Sequence, residues 1–160
     1  MTLLLVSDLH VPVKMMSIPD NLLEIAKQVD AVFGLGDFVD METVLTLESV
    51  SNKFYAVCGN MDYPDVKDHL PSVKLLQLEE WKIGLFHGWG APFKIRERIL
   101  STMTQKPQVI FYGHTHIPDD TVCESVRFVN PGSVAEDGSY ALVELCKDHL
   151  KVEFKKLQAD

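Results

Sequence analysis

The sequence predicts an α/β protein, built on a mixed sheet or on two sheets packed face to face. Short apolar runs alternate with segments of helical spacing through the first part of the chain. The later part turns to short strand-like runs joined by turns. The inner apolar runs stop abruptly in polar signatures rather than tapering off.

Thr2 to Ser7 (TLLLVS) is a short apolar run closed by a polar loop, the pattern of a buried strand. After a loop holding Pro12 and Pro19, Asp20 is placed to cap a helix whose Leu22, Leu23, Ile25, Ala26 and Val29 share one face. Ala31 to Leu35 (AVFGL) reads as a second buried strand, Met41 to Val50 as a helix, and Lys53 to Val57 as a third strand stopping before Gly59. Val73 to Leu78 and Lys82 to Phe86 flank "EEW" as a hairpin. A helix follows Pro92, because Phe93, Arg96, Ile99, Leu100 and Met103 keep helical spacing. Gln108 to Tyr112 is another strand, and Thr121 to Cys123, Arg127 to Val129, Tyr140 to Leu145 and Leu150 to Phe154 complete the set.

Bulk properties narrow the function classes. A chain of 160 residues with 46% hydrophobic and 24% charged residues suits one globular domain over residues 1–160. The net charge of -8 gives nucleic acid or an anionic membrane no electrostatic attraction, so a nucleic-acid partner is not expected. Three scattered cysteines (Cys58, Cys123, Cys146) form no CxxC pair, which disfavours both a disulfide framework and a thiolate zinc site. The start, MTLLLVSDLH, is apolar over too few residues for a signal peptide and lacks a basic flank, and no run reaches membrane-spanning length. A cytoplasmic protein is expected, with its oligomeric state open and a homodimer among the options.

The polar signatures organise the rest. SDLH follows LLLV, GDFVD follows FGL, GNMD follows YAVC, HGWG follows IGLF, and GHTH follows VIFY. Ligand sites of open α/β sheets gather at the carboxyl ends of strands. Parallel strands would therefore bring Asp8, His10, Asp37, Asn60, His87, His114 and His116 to one rim. In extended backbone, residues i and i+2 point the same way, so Asp8 with His10, and His114 with His116, are expected to aim at one point. Glycines 36, 59, 88 and 113 are expected to turn the chain and leave room for a ligand. Four imidazoles, two carboxylates and an amide oxygen suit manganese, nickel, zinc or iron better than calcium or magnesium. Seven candidates exceed one tetrahedral ion but suffice for two, with Asp37 bridging through both oxygens in the two-metal clamp of phosphoryl chemistry.

In this order, D-x-H, G-D-x-x-D, G-N-x-D, H-G and G-H-T-H resemble the calcineurin-like metallophosphoesterase superfamily. The short length and the "NPGS" at Asn130 to Ser133 are similar to the small YfcE-type phosphodiesterases. The resemblance implies a four-layer αββα sandwich of two mixed sheets flanked by helices. It also implies one ion on Asp8, His10, Asp37 and His116 and another on Asp37, Asn60, His87 and His114. A hydroxide bridging the two ions would attack phosphorus in a small phosphoester substrate, with Asp37, Asn60 and His87 in catalytic positions.

Two departures bear on substrate. Where many members carry a histidine after G-N, this chain has Met61, which cannot protonate a leaving oxygen. Missing acid catalysis costs about 10²–10⁴-fold, so activated esters should be cleaved best. Trp89 stands where the family has the second histidine of H-G-H; it either lines the substrate pocket or covers core.

Plainer roles remain for the residues outside the set. His69 and His149 lack partners in any motif and are read as structural or exposed. Asp40 and Asp62 could each cap a helix, and are expected instead to orient an imidazole or Asn60 from behind. Asn130 and Gly132 read as a turn, which the resemblance brings near the site, and Cys58 as buried rather than reactive. Two alternatives compete with a metal-dependent phosphodiesterase. One is a weakly active or inactive interaction scaffold like the retromer subunit of the same fold, but a pure scaffold tolerates loss of Asp37 and Asn60, and both are present. The other is a closed structural zinc site, which would use four ligands, commonly cysteines.

Overall fold

Leu3, Leu4, Leu5 and Val6 are all fully buried because the first strand lies between two separate cores. Leu3 and Leu5 face one core and Leu4 and Val6 the other, the period-two alternation of a strand covered on both sides. The computed structural model describes residues 1–158.

Five strands form the first sheet: β1 (Thr2–Val6), β2 (Ala31–Gly34), β3 (Phe54–Ala56), β9 (Ser139–Leu145) and β10 (Leu150–Lys156). Their order is β10-β9-β1-β2-β3, with β1, β2 and β3 parallel and β9 and β10 antiparallel to their neighbours. The second sheet holds β4 (Val73–Leu78), β5 (Trp81–Phe86), β6 (Val109–Tyr112), β7 (Asp119–Cys123) and β8 (Val126–Asn130). It runs β4-β5-β6-β8-β7, with β5, β6 and β8 parallel and the two edges antiparallel.

The sheets pack face to face over Leu3, Leu5, Phe33 and Leu35 from the first and Leu85, Phe111 and Val129 from the second. Helices α1 (Asp20–Gln28) and α2 (Met41–Val50) cover the outer face of the first sheet with Leu22, Ala26, Val44 and Leu47. α3 (Pro64–His69) adds Val66 to that layer. α4 (Ile95–Leu100) covers the second sheet, packing Ile95, Ile99 and Leu100 on Phe86, Ile110 and Phe128. The result is the four-layer αββα sandwich of two mixed sheets. Among the described residues no helix is long and apolar enough to cross a membrane.

Several local expectations change. Pro19, not Asp20, precedes α1, and Asp20 is its first residue with no capping hydrogen bond. The helix after Pro92 starts only at Ile95, because Lys94 is left-handed at φ 58°, and Phe93 is left 76% exposed. Trp81 belongs to β5 rather than to the turn; it pairs with Leu78 across a two-residue turn at Glu79 and Glu80. β7 begins at Asp119, two residues earlier than the apolar signal, because pairing to β8 is set by backbone and not by side-chain type. α3 and α5 (Val134–Asp137) are six and four residues long, too short for any helical period to show in sequence.

Candidate metal centre

All six parallel strands end on one side of the sandwich, and the polar signatures follow them there. The chain after β1 stays paired to the chain after β2: Asp8 N donates to Gly36 O at 3.1 Å and His10 N to Asp37 O at 3.0 Å. The extended-backbone explanation for the D-x-H and H-x-H spacings is overturned. Asp8, His10, Asp37, His114 and His116 all have positive φ, between 50° and 70°. Left-handed backbone costs about 1–2 kcal/mol at a residue with a Cβ and persists only where surrounding bonds over-determine it. Asp8, His10 and His116 nonetheless turn their side chains to one hollow, while His114 stands at its rim.

The surrounding bonds are present. Ser133 Oγ and Ala135 N both donate to Asp8 O, at 3.0 and 3.2 Å. Asn130 Nδ2 donates to Gly113 O and to Thr115 Oγ1, each at 3.0 Å, and Gly132 N closes the loop on Asn130 Oδ1. The NPGS segment is thus a brace holding both histidine-bearing loops. Two of the motif glycines serve close approach rather than turning. A Cβ on Gly59 would stand 2.2 Å from Asp37 Oδ1, and one on Gly113 would stand 2.0 Å from Ser7 Oγ.

Five of the seven predicted ligands converge. Asp8 Oδ1 lies 3.2 Å from His116 Nε2, 3.6 Å from His10 Nε2 and 3.9 Å from His87 Nε2. Asp37 Oδ2 lies 3.2 Å from His87 Nε2 and 3.8 Å from His10 Nε2. Donor atoms bound at about 2.0–2.2 Å to one transition ion stand roughly 3–3.5 Å apart, so this spacing fits the group. The atoms fall into two overlapping sets, Asp8 with His10 and His116, and Asp8 with Asp37 and His87.

The opposite atom of each carboxylate is already engaged. Asp8 Oδ2 accepts from Ser7 Oγ at 2.6 Å and His114 N at 3.2 Å. Asp37 Oδ1 accepts from Met61 N at 2.8 Å. Asp37 Oδ2 is the oxygen that faces both His10 and His87. His87 is fixed likewise, since Nδ1 donates to Leu35 O at 2.7 Å and turns the Nε2 lone pair inward. Asp8 Oδ1, His10 Nε2 and His87 Nε2 are buried with no hydrogen-bond partner among the described residues. A buried polar atom left unsatisfied costs about 1–3 kcal/mol, so three together mark a place built for an external cation.

The other two candidates stand at the rim. His114 packs edge-on to His87 with ring centres 5.2 Å apart, and its Nε2 donates to Gly90 O at 2.8 Å. Asn60 is exposed and shares a groove wall with His87 and Trp89. Gly90 sits in a loop gathered by one guanidinium: Arg98 donates to the carbonyls of Trp89 (3.0 Å), Phe93 (3.3 Å) and Ala91.

Asp62 is buried and accepts from Gly59 N (2.6 Å), Val39 N (2.7 Å) and Asp37 N (3.1 Å), which fixes the backbone that carries Asp37. Asp40 does not stand behind a candidate ligand. It caps α2, accepting from Thr43 N at 2.9 Å and Thr43 Oγ1 at 2.6 Å, because the chain turns away from the rim at that point. Sequence reasoning missed Ser7, Glu136 and Arg98. Ser7 was signalled only by its place beside Asp8. Glu136 Oε1, 3.6 Å from His116 Nδ1, and Arg98 carried no local signal.

Electrostatics follow from this packing. Burial pushes the Asp8 carboxyl up, but the facing imidazoles of His10 and His116, the nearby His87 and the Ser7 hydroxyl outweigh it and hold Asp8 well below the usual carboxylate range. Burial alone would lower His87; the Asp37 carboxylate 3.2 Å away, the Asp8 charge and the Leu35 carbonyl instead bring it up to about 9. His116 is raised mainly by its bond to Asp8. The centre is thus a pair of carboxylates ringed by imidazoles, a donor set that suits a divalent transition metal.

Known proteins resemble the chain in sequence and fold to different depths. The chain is 30% identical over 131 residues to a probable metallophosphoesterase of Methanocaldococcus jannaschii, covering 80% of this chain and 65% of that relative. The solution structure of Thermotoga maritima protein TM1076 matches with a TM-score of 0.83 at 54% identity, covering 98% of this chain and 99% of that one. The crystal structure of Chaetomium thermophilum Vps29 matches with a TM-score of 0.83 at 21% identity, covering 99% of this chain and 87% of that one, a likeness of fold alone. The family model of the calcineurin-like phosphoesterase superfamily domain matches residues 1–148: the chain belongs to the calcineurin-like phosphoesterase superfamily.

Proposed function

We propose that this chain is a metal-dependent phosphodiesterase acting on small or activated phosphodiesters, with two divalent transition ions (manganese, nickel, zinc or iron) held between its sheets. The observation that carries the reading is the trio of buried, partnerless donor atoms, Asp8 Oδ1, His10 Nε2 and His87 Nε2. Asp8, His10, Asp37 and His116 would hold one ion, and Asp37, Asn60, His87 and His114 the other. Bound there, such ions supply a nucleophile at neutral pH and neutralise charge building on the phosphoryl oxygens.

The chain's own residues do the positioning. Asp37 Oδ2 stands between His10 and His87 and ties the two halves together. Met61 N holds the other Asp37 oxygen, so Met61 contributes through its backbone. Its side chain is 52% exposed and offers no proton to a departing oxygen, which favours alcohols that leave as stable anions. This reading has the chain acting as one domain in the cytoplasm.

The test is hydrolysis of bis(4-nitrophenyl) phosphate by chelator-stripped protein supplied with manganese, nickel, zinc or magnesium, with wild type and Asp37→Ala side by side. Metal-stimulated turnover in wild type, lost in the variant, is expected. Equal rates in the two proteins would overturn the reading, and metal analysis finding one ion or none would remove the paired site. An interaction scaffold of this fold, the second reading, draws on the likeness to Vps29 and predicts no stimulation by any metal.

A further inference from the structure

Beside the metal centre lies a groove of about 560 Å³, within the usual range for small-molecule sites. Asn60 and His87 form its inner wall, so it opens directly onto the candidate ligands. Two of its other walls differ sharply in chemistry. Trp89 and Val73 present apolar surface to the groove, 41% and 43% exposed. Lys67 supplies a cation, and it forms no ion pair among the described residues although Asp65 and Asp68 flank it on α3.

The Trp89 ring is presented by a held backbone. Arg98 binds the Trp89 carbonyl at 3.0 Å and those of Ala91 and Phe93 beyond it, while His114 binds Gly90 O at 2.8 Å. With its backbone held, the loop loses little freedom when a flat ring stacks on the indole, and base–aromatic stacking is tolerant of ring type. A free ammonium in the same groove favours a ring that carries negative charge, and it offsets repulsion from the carboxylates at the centre.

Building on the phosphodiesterase reading, we infer that the groove between Trp89 and Lys67 selects substrates in which one group on phosphorus is a planar aromatic ring bearing a further anionic substituent. Trp89 is the stacking surface and Lys67 the charge partner; neither touches the reacting atoms.

Binding of three non-hydrolysable probes to the metal-loaded protein, measured by calorimetry, tests this: methylphosphonate, phenylphosphonate and 3-carboxyphenylphosphonate. The phenyl compound should bind about tenfold tighter than the methyl one. The carboxylate should add about three- to fivefold more. Trp89→Ala should abolish the first increment and Trp89→Phe should restore most of it. Lys67→Met should abolish only the second. If all three probes bind equally, or if the variants keep both increments, the groove assignment fails while the phosphodiesterase reading stands. If none of the three binds, the groove assignment fails, and hydrolysis of bis(4-nitrophenyl) phosphate separately decides the phosphodiesterase reading.

Discussion

The two sheets bring unlike chemistry to the seam where they meet. From the first come both carboxylates, Asp8 and Asp37, with His10 and Asn60; from the second come His87, His114 and His116. On the first side every carboxylate oxygen that faces away from the hollow is held, by Ser7, His114 N or Met61 N. On the second side His87 is buried and braced by Leu35 O, whereas His114 and His116 stand half-buried at the mouth. One half is a rigid acidic floor and the other a graded wall of imidazoles. The seam is incomplete in polypeptide alone, because Asp8 Oδ1, His10 Nε2 and His87 Nε2 find no hydrogen-bond partner among the described residues.

Breaking either half at its most buried point should have the largest effect. Asp37→Ala removes the atom that reaches both His10 and His87, and His87→Ala removes the buried imidazole opposite. Losing a group that fixes a catalytic ion is worth several kcal/mol, so each variant should lose on the order of 10³-fold in kcat/KM on an aryl phosphodiester. Each should also bind less metal in an equilibrium-dialysis assay. His116→Ala, at the more open end, should lose less. A His116 variant as damaged as the His87 one would erase the distinction between buried and rim imidazoles.

Acidity sharpens the same contrast through stability. In chelator-stripped protein, His87 is brought up to about 9 in the folded state by Asp37, Asp8 and Leu35 O, against 6.5 for the free side chain. A group with a raised folded value contributes stability that is fully present below 6.5 and is lost as pH rises through about 9. Stripped wild type should therefore lose Tm between pH 6.5 and 9, and His87→Ala should show a flatter profile. Saturating manganese or zinc should raise Tm at the alkaline end, by about 2.7 kcal/mol of stabilisation at a hundredfold excess over Kd. An unchanged slope in His87→Ala would show that another group sets the alkaline limb.

The same asymmetry explains how much was legible in the sequence. Strand ends announce themselves, because an apolar run covered on both faces must stop where the chain meets water. LLLV before SDLH and VIFY before GHTH were therefore readable, as were the parallel inner strands and the sandwich. What stayed hidden were facts of conformation and distance. No spacing rule reveals that Asp8, His10, His114 and His116 sit in left-handed backbone, since Asp and His only tolerate that region more readily than most residues. Asp40 and Asp62 read alike as GDFVD and GNMD carboxylates. Only the path of the chain makes one a cap for Thr43 and the other a clamp on Asp37, Val39 and Gly59. The helices of four and six residues left no period to detect.

Arg98 is the subtlest part of the imidazole wall, and the smallest effect is expected there. Its guanidinium reaches the carbonyls of residues 89, 91 and 93 from the helix behind, and a Cβ on Gly90 would come within 3.2 Å of three guanidinium atoms. Gly90 O, held in the midst of this, accepts from His114 Nε2 and so directs His114 Nδ1 away from the loop. Partners that orient a ligating imidazole are worth about 10–100-fold in metal affinity. Arg98→Lys keeps the charge but cannot span three carbonyls, so it should weaken the less tightly held ion by about tenfold and leave the other unchanged. A competitive chelator titration resolves the two steps. Equal weakening of both steps would mean the substitution loosens the whole α4 layer. An unaltered titration would mean that His114 keeps its tautomer without the loop, and that the second sheet's wall is as self-sufficient as the floor beneath it.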